Sequence, residues 1–216
     1  MSENVELTSA PDLAGRIAQR TLAKRRAGYE DEVRRLLDAA LTVMRRHGTG
    51  SRPRVTDIVA AAGLSNDAFY RHFPSKDALV VALLEDGATR LCATVGERMD
   101  RESSPRAKVR RWVEGILSEA DPAIADTTRA VLWNAGSLRS GLAFGASAAS
   151  APLAALLHTP FARLGSADPE FDAAVAAHAL VGTLSDYLWR HTRPTAADVD
   201  RLTAFCLRAA ASGQPS

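Results

Sequence analysis

Apolar residues recur along this chain at the spacing of an α-helix, and no stretch shows the alternation of a half-buried strand. Val33, Leu37, Ala40, Leu41 and Met44 share one helical face. His47-Gly48 closes that helix, and Gly50, Ser51 and Pro53 mark the loop beyond. Thr56 is expected to N-cap a second, short helix, with Asp57 in the first turn where the dipole favours an acid. Gly63 should end it at positive φ, a backbone state that a side chain resists. Ser65 caps a third helix and Pro74 stops it. Ser75 then caps a long fourth helix, whose stripe Leu79, Leu83, Gly87, Leu91, Val95 and Met99 steps by four residues. The predicted fold class is all-α.

Val55 to Asp77 holds the densest information. Only Leu64 separates Gly63 from Ser65, so two short helices meet at a tight angle with Leu64, Ile58 and Val59 inside it. Phe69 and Phe73, four residues apart, share the inner face of the third helix. The outer face is then left to Asn66, Ala68, Arg71 and His72. A helix-turn-helix presents its second helix, N-terminal end first, to base edges in the major groove. Ser65, Asn66, Ala68 and Arg71 are the candidate groove contacts. Asn can read adenine, Arg can read guanine, and the Ala methyl can meet a thymine methyl.

Charge sharpens this picture. The net charge of +2 hides eleven basic residues against four acids between Arg16 and Arg54. Such a block beside the motif suits phosphate contact, which is driven by counterion release. Arg34 and Arg35 fit phosphate contact and a solvated helix face equally. Lys24-Arg25-Arg26 predicts a flexible basic arm over residues 1–28, before a helix-turn-helix domain at 29–76 and a helical body at 77–216. Cys92 and Cys206 lie far apart inside helical patterns and read as free buried thiols. No Cys/His spacing suggests a metal site, and nothing calls for a cofactor. The N-terminus lacks the pattern of a secretory signal and no apolar run reaches membrane-spanning length, so a cytoplasmic protein is expected.

Thr56, Asp57, Ile58, the run from Ala60 to Gly63, Leu64, Ser65, Phe69, Tyr70, Phe73, Ser75, Lys76 and Leu79 together resemble the DNA-binding domain of the TetR family of bacterial repressors. The detailed likeness covers about residues 33–84. It implies that Thr56, Tyr70 and His72 meet DNA phosphates, and that Lys76 does so through its charge and the start of the fourth helix. Two departures stand out. Val59 occupies a position where the family usually has alanine, and Asp67 puts an acid near the expected DNA surface.

Beyond the motif the chain reads as a helical body. The helix from Phe171 to Arg190 is apolar on two sides. One stripe is Phe171, Val175, His178, Gly182, Ser185 and Trp189, and the other is Ala177, Leu180, Val181, Leu184 and Leu188. The resemblance implies that this helix, with a last one near 197–211, joins two subunits so that a dimer meets a palindromic operator. It also implies a small-molecule effector held in the body, for which composition favours an apolar or aromatic compound. Candidate pocket residues are Trp112, Trp133, Asn134, Phe144, Phe161 and His178; each fits plain core as well. Two other classes stay open: an architectural DNA-binding protein without an effector, and an enzyme using His158, His178, Asp186 or His191, which show no spacing typical of a catalytic set.

Overall fold

The structure is a computed structural model and describes residues 13–136 and 150–211. Within them run α1 (Leu13–His47), α2 (Val55–Ala62), α3 (Asn66–His72), α4 (Lys76–Asp100), α5 (Pro105–Leu117), α6 (Pro122–Ala135), α7 (residues 150–155), α8 (His158–Leu164), α9 (Pro169–Arg190) and α10 (Ala196–Ala211). A 3-10 turn, Ser118–Ala120, links α5 to α6. No strand occurs among the described residues, as the helical periodicity predicts.

Two apolar cores organise these helices. The head core gathers Leu36, Ala40 and Met44 of α1, Ile58 of α2, Phe69 of α3, and Leu79 and Val80 of α4. The body core gathers Val95 and Met99 of α4, Trp112 and Ile116 of α5, Phe161 of α8, Leu180 of α9 and Cys206 of α10. Helix α4 runs from one core into the other. Helix α6 serves both, with Ala130, Val131 and Ala135 in the head core and Ala125 in the body core.

Two local expectations need correction. The flexible arm predicted over residues 1–28 is helical from Leu13 onward, as the exposed first half of α1. That stretch is built mostly from strong helix formers, and Arg26 holds Glu30 one turn on at 2.8 Å. Thr56 is not the N-cap of α2. The cap is Arg54, whose backbone N–H donates to the Asp57 carboxylate at 2.8 Å, and Thr56 sits exposed inside the first turn. The Ser65 and Ser75 caps fall where the sequence places them, and Ser104, not singled out from the sequence, caps α5 in the same way. Ser65, Ser75 and Ser104 each accept a bond from the backbone N–H three residues on.

Glycine is required at two positions for different reasons. Gly63 ends α2 at φ +63°, and the Arg35 guanidinium covers that end. Its Nε donates to Ala62 O and its Nη2 to Gly63 O, each at 3.1 Å. Arg35, exposed as a solvated face requires, has a further role that the sequence reading did not name: it closes the helix end on which the motif turns. Gly115 lets α5 approach α4, because a β-carbon there would lie 2.7 Å from Val95 Cγ2. Gly63→Ala should cost about 1–2 kcal/mol for the left-handed backbone. Gly115→Ala should cost about 1–3 kcal/mol for overpacking. Urea unfolding of the two variants checks both figures. The cysteines are free, and burial pushes the Cys206 thiol up to about 12 and the half-buried Cys92 thiol up less far. A thiol reagent at neutral pH should label Cys92 first and reach Cys206 only on unfolding, as read by mass spectrometry.

Candidate functional site

The candidate DNA-facing surface follows from how the seven residues of α3 divide between its two sides. Phe69 is fully buried, Phe73 nearly so, and their rings lie 5.8 Å apart. The adjacent row, Ala68 and His72, each one position before a phenylalanine and four residues apart, turns inward as well. Ala68 is 5% exposed and so cannot offer its methyl to a thymine. The His72 side chain is wholly buried and so does not reach a phosphate. Both corrections have one cause. The inner face of a short amphipathic helix is two rows wide, and the sequence reading allotted it one.

What remains outside is Asn66, Asp67, Tyr70 and Arg71. Tyr70 is 57% exposed and leans its ring edge-on against Phe69, with centroids 5.3 Å apart. Ser65 is exposed and is committed to capping the Ala68 N–H at 3.1 Å. Asp67 lies in the first turn of α3, where the dipole favours an acid. Val59 is buried and accepts a bond from the Leu64 N–H at 2.9 Å, so the larger side chain is absorbed without loss of the turn. Lys76 bends back and donates to Pro53 O at 3.2 Å. That bond draws the start of α4 against the loop leading into α2. Two helix N-termini, the exposed Thr56 and the Lys76 ammonium therefore gather along one edge of the head, a favourable setting for phosphate oxygens.

Helix α1 supplies a contact that the sequence does not announce. Glu32 Oε2 accepts from Arg71 Nη2 at 2.8 Å and from His72 Nε2 at 2.6 Å. Tyr29 closes over the imidazole edge-on at 4.2 Å. These bonds, first that from His72 and then that from Arg71, hold the Glu32 carboxyl below its usual range.

In the body, a cavity of about 660 Å³ opens between α4, α6 and α9. Its wall is mainly apolar, with Arg90, Arg98, Glu119 and His178 as the ionisable groups on it. The α4 stripe expected from the sequence is buried at Leu79, Leu83, Val95 and Met99, and it opens onto the cavity at Gly87 and Leu91. Nothing lies within 4 Å of where a β-carbon on Gly87 would sit. Leu41, Leu83 and Leu84 bring the head itself to the wall.

Of the pocket residues expected from the sequence, His178 alone among the described residues lines the cavity. Its Nδ1 lies 2.7 Å from Ala174 O. A carbonyl can only accept, so the proton is on Nδ1, and Nε2 of the neutral ring is an acceptor, 3.4 Å from Ser150 Oγ. Trp112 is core, its indole N–H donating to Leu153 O at 2.9 Å. Phe161 and Asn134 are buried too, Asn134 donating to Ala130 O. These three lie on core faces of their helices, where size or polarity alone does not separate a wall from a filled interior. Trp133 is 39% exposed and stacks edge-on against Trp189, a wall residue, at 6.3 Å. Phe144 lies outside the described residues. Sequence reasoning missed Arg129, which is buried on α6, donates to Leu188 O at the end of α9 at 2.7 Å and pairs with Asp126. The signal available was one arginine inside the apolar run of α6.

Residues 36–83 match the family model of bacterial regulatory proteins, tetR family. The match lies within the head, from α1 into α4. The likeness in fold extends through the body. A structure described as a TetR-family transcriptional regulator from Mesorhizobium loti superposes with a TM-score of 0.64 at 15% identity, over 85% of this chain and 96% of that one. A transcriptional regulator from Pseudomonas aeruginosa gives 0.61 at 24% identity, over 84% and 88%. RolR in complex with resorcinol gives 0.60 at 15% identity, over 84% and 88%. No curated protein matches the sequence. A head that matches the tetR family model, on a helical plan shared with solved transcriptional regulators, supports a DNA-binding regulator. No group of His, Cys, Asp or Glu among the described residues is arranged to hold a metal ion, and no helix there is long and apolar enough to cross a membrane.

The Glu32 cluster has a measurable pH signature. Its pKa is depressed in the folded state, so its contribution to stability is complete above the unfolded value and is lost as pH falls through the folded one. Glu32→Gln should therefore flatten the acid limb of the stability curve, measured by urea unfolding between about pH 2 and pH 6.

Proposed function

We propose that the protein is a homodimeric repressor that a small apolar or aromatic compound releases from a palindromic operator. The observation that carries this reading is the position of the cavity. Its wall includes Leu41, Leu83 and Leu84 from the head, and Val131 and Ala135 of α6, both also in the head core. A compound seated there presses on the surfaces that fix the head to the body. Release follows if it binds better to the arrangement that fits the operator poorly, and the coupling is then reciprocal. A roomy cavity weighs against an architectural protein with a solid body. Resorcinol in the structurally similar RolR supports an aromatic effector, and the acceptor Nε2 of His178 suits a ligand hydroxyl.

Dimerisation is supported by apolar surface on the last two helices. Phe171, Val175 and Trp189 of α9 and Phe205 of α10 are each more than a third exposed, while Ala177, Leu180, Leu184 and Leu188 fill the body core from the other side of α9. Pairing these faces sets two heads about one DNA turn apart, ~34–36 Å. In each head Asn66 and Arg71 read bases, while Tyr70, Thr56 and Lys76 hold the phosphates.

Gel-shift titration at fixed salt against an operator selected from random DNA tests the head. Tyr70→Ala and Lys76→Ala should weaken binding to every sequence, whereas Asn66→Ala and Arg71→Ala should each cost about 1–3 kcal/mol at one base position. Uniform losses from all four variants would sink the division of labour. Gly87→Leu tests the cavity. The side chain has room and gains about 1 kcal/mol of helix propensity, so the variant should fold and bind operator yet fail to respond to a compound that releases the natural protein. Sedimentation of Phe171→Glu with Phe205→Glu should show monomers if these faces join the subunits.

A further inference from the structure

We propose that Glu32 is a positioning residue for sequence recognition: one carboxylate oxygen ties the exposed Arg71 to the buried His72 and so sets where Arg71 enters the groove. The inference rests on reading α3 as the groove helix.

The three partners are unequal. The His72 side chain is fully buried, Glu32 is 31% exposed and Arg71 is 55% exposed. An ionised carboxylate only accepts, so His72 Nε2 carries the proton that bridges to Glu32 Oε2 at 2.6 Å. His72 Nδ1 is buried with no hydrogen-bond partner, and Tyr29 caps the ring. If Glu32 swung away, Nε2 would lose its partner too and neither nitrogen of a buried ring would be paired, a costly state. Glu32 is therefore the fixed point and Arg71 the movable arm. The lowered pKa of Glu32 agrees, since both partners favour its charged form.

This arrangement changes what Arg71 can do. A free arginine at a DNA surface is a long, flexible cation that any phosphate satisfies. Held by Glu32, it starts from a fixed position with part of its charge neutralised. A stray phosphate then competes with a carboxylate already in place, and also meets that carboxylate's negative charge. A guanine edge is a better competitor, because it offers two acceptors matched to the guanidinium fork. Glu32 thus suppresses binding to arbitrary DNA more than binding to the operator, a specificity gained by disfavouring the wrong partner. The residue lies 39 positions before Arg71, in a different helix, so no pattern within the motif points to it.

The test uses the full chain, an operator selected from random DNA and an unrelated duplex of equal length. Glu32→Gln keeps an amide oxygen for His72 and removes the charge. It should raise affinity for the unrelated duplex and steepen its salt slope by about 0.9, the value of one phosphate. It should also cut the ratio of operator to unrelated affinity by roughly ten-fold, within the range of one bidentate base contact. In an Arg71→Ala background the same substitution should leave that ratio nearly unchanged. Equal effects in both backgrounds would overturn the proposal, since the carboxylate would then act by general repulsion. An unchanged ratio after Glu32→Gln alone overturns it as well. If Glu32→Gln fails to fold by thermal melting, Glu32→Asp, with its carboxylate pulled back by one methylene, replaces it under the same criteria. The two readings fail separately. Should Arg71→Ala and Asn66→Ala both leave operator preference intact, the groove assignment falls; should they alter it while Glu32→Gln does not, only the role of Glu32 falls.

Discussion

Helix α6 is buried on two sides, and the way the head meets the body depends on it. Ala130, Val131 and Ala135 lie in the core of the head, Ala125 in that of the body, and Leu132 packs against the latter. The helix manages this with small side chains at the contacts, which let its backbone come close to neighbours in both directions. Arg129 fixes its position further by donating to a carbonyl in the last turn of α9, one that also accepts from the His191 backbone N–H. Neither unit can shift against the other without disturbing a close-packed surface, and close-packed surfaces switch between discrete arrangements more readily than they deform. The cavity borders on this same helix.

Much of the head was legible in the sequence because its signals are local. A glycine at positive φ, serine caps at Ser65 and Ser75, and an aromatic pair four residues apart act over single turns, and all appear where expected. The errors came where a local rule met a tertiary choice. Thr56 is as good a cap as a sequence can offer, yet the Asp57 carboxylate took the exposed N–H from the other direction. Ala68 and His72 look like surface residues by type, and their burial is decided by the packing of α3 against α1. The basic arm looked unstructured because charge was weighed above helix propensity, although no proline interrupts residues 13–47.

The pocket was less legible for a related reason. Large or polar residues drew attention, and three of them, Trp112, Asn134 and Phe161, prove to fill space. A cavity is better marked by what is missing. The gap in the α4 stripe at Gly87 was visible in the sequence, but its meaning depends on how α6 and α9 are placed opposite, which no periodicity encodes. His178 was recoverable because a histidine on an apolar stripe is anomalous in either setting.

Gly87 has a consequence for how such a protein can diversify. The space above it is bounded by side chains from several helices, and on the α4 side it includes one residue with no side chain and open room above it. Single-base changes in any glycine codon include alanine and valine, a graded step in size. Each would rescale the cavity while leaving every exposed residue of α3 as it is. The shape of the interior can therefore drift in small heritable steps, independently of the surface that reads DNA.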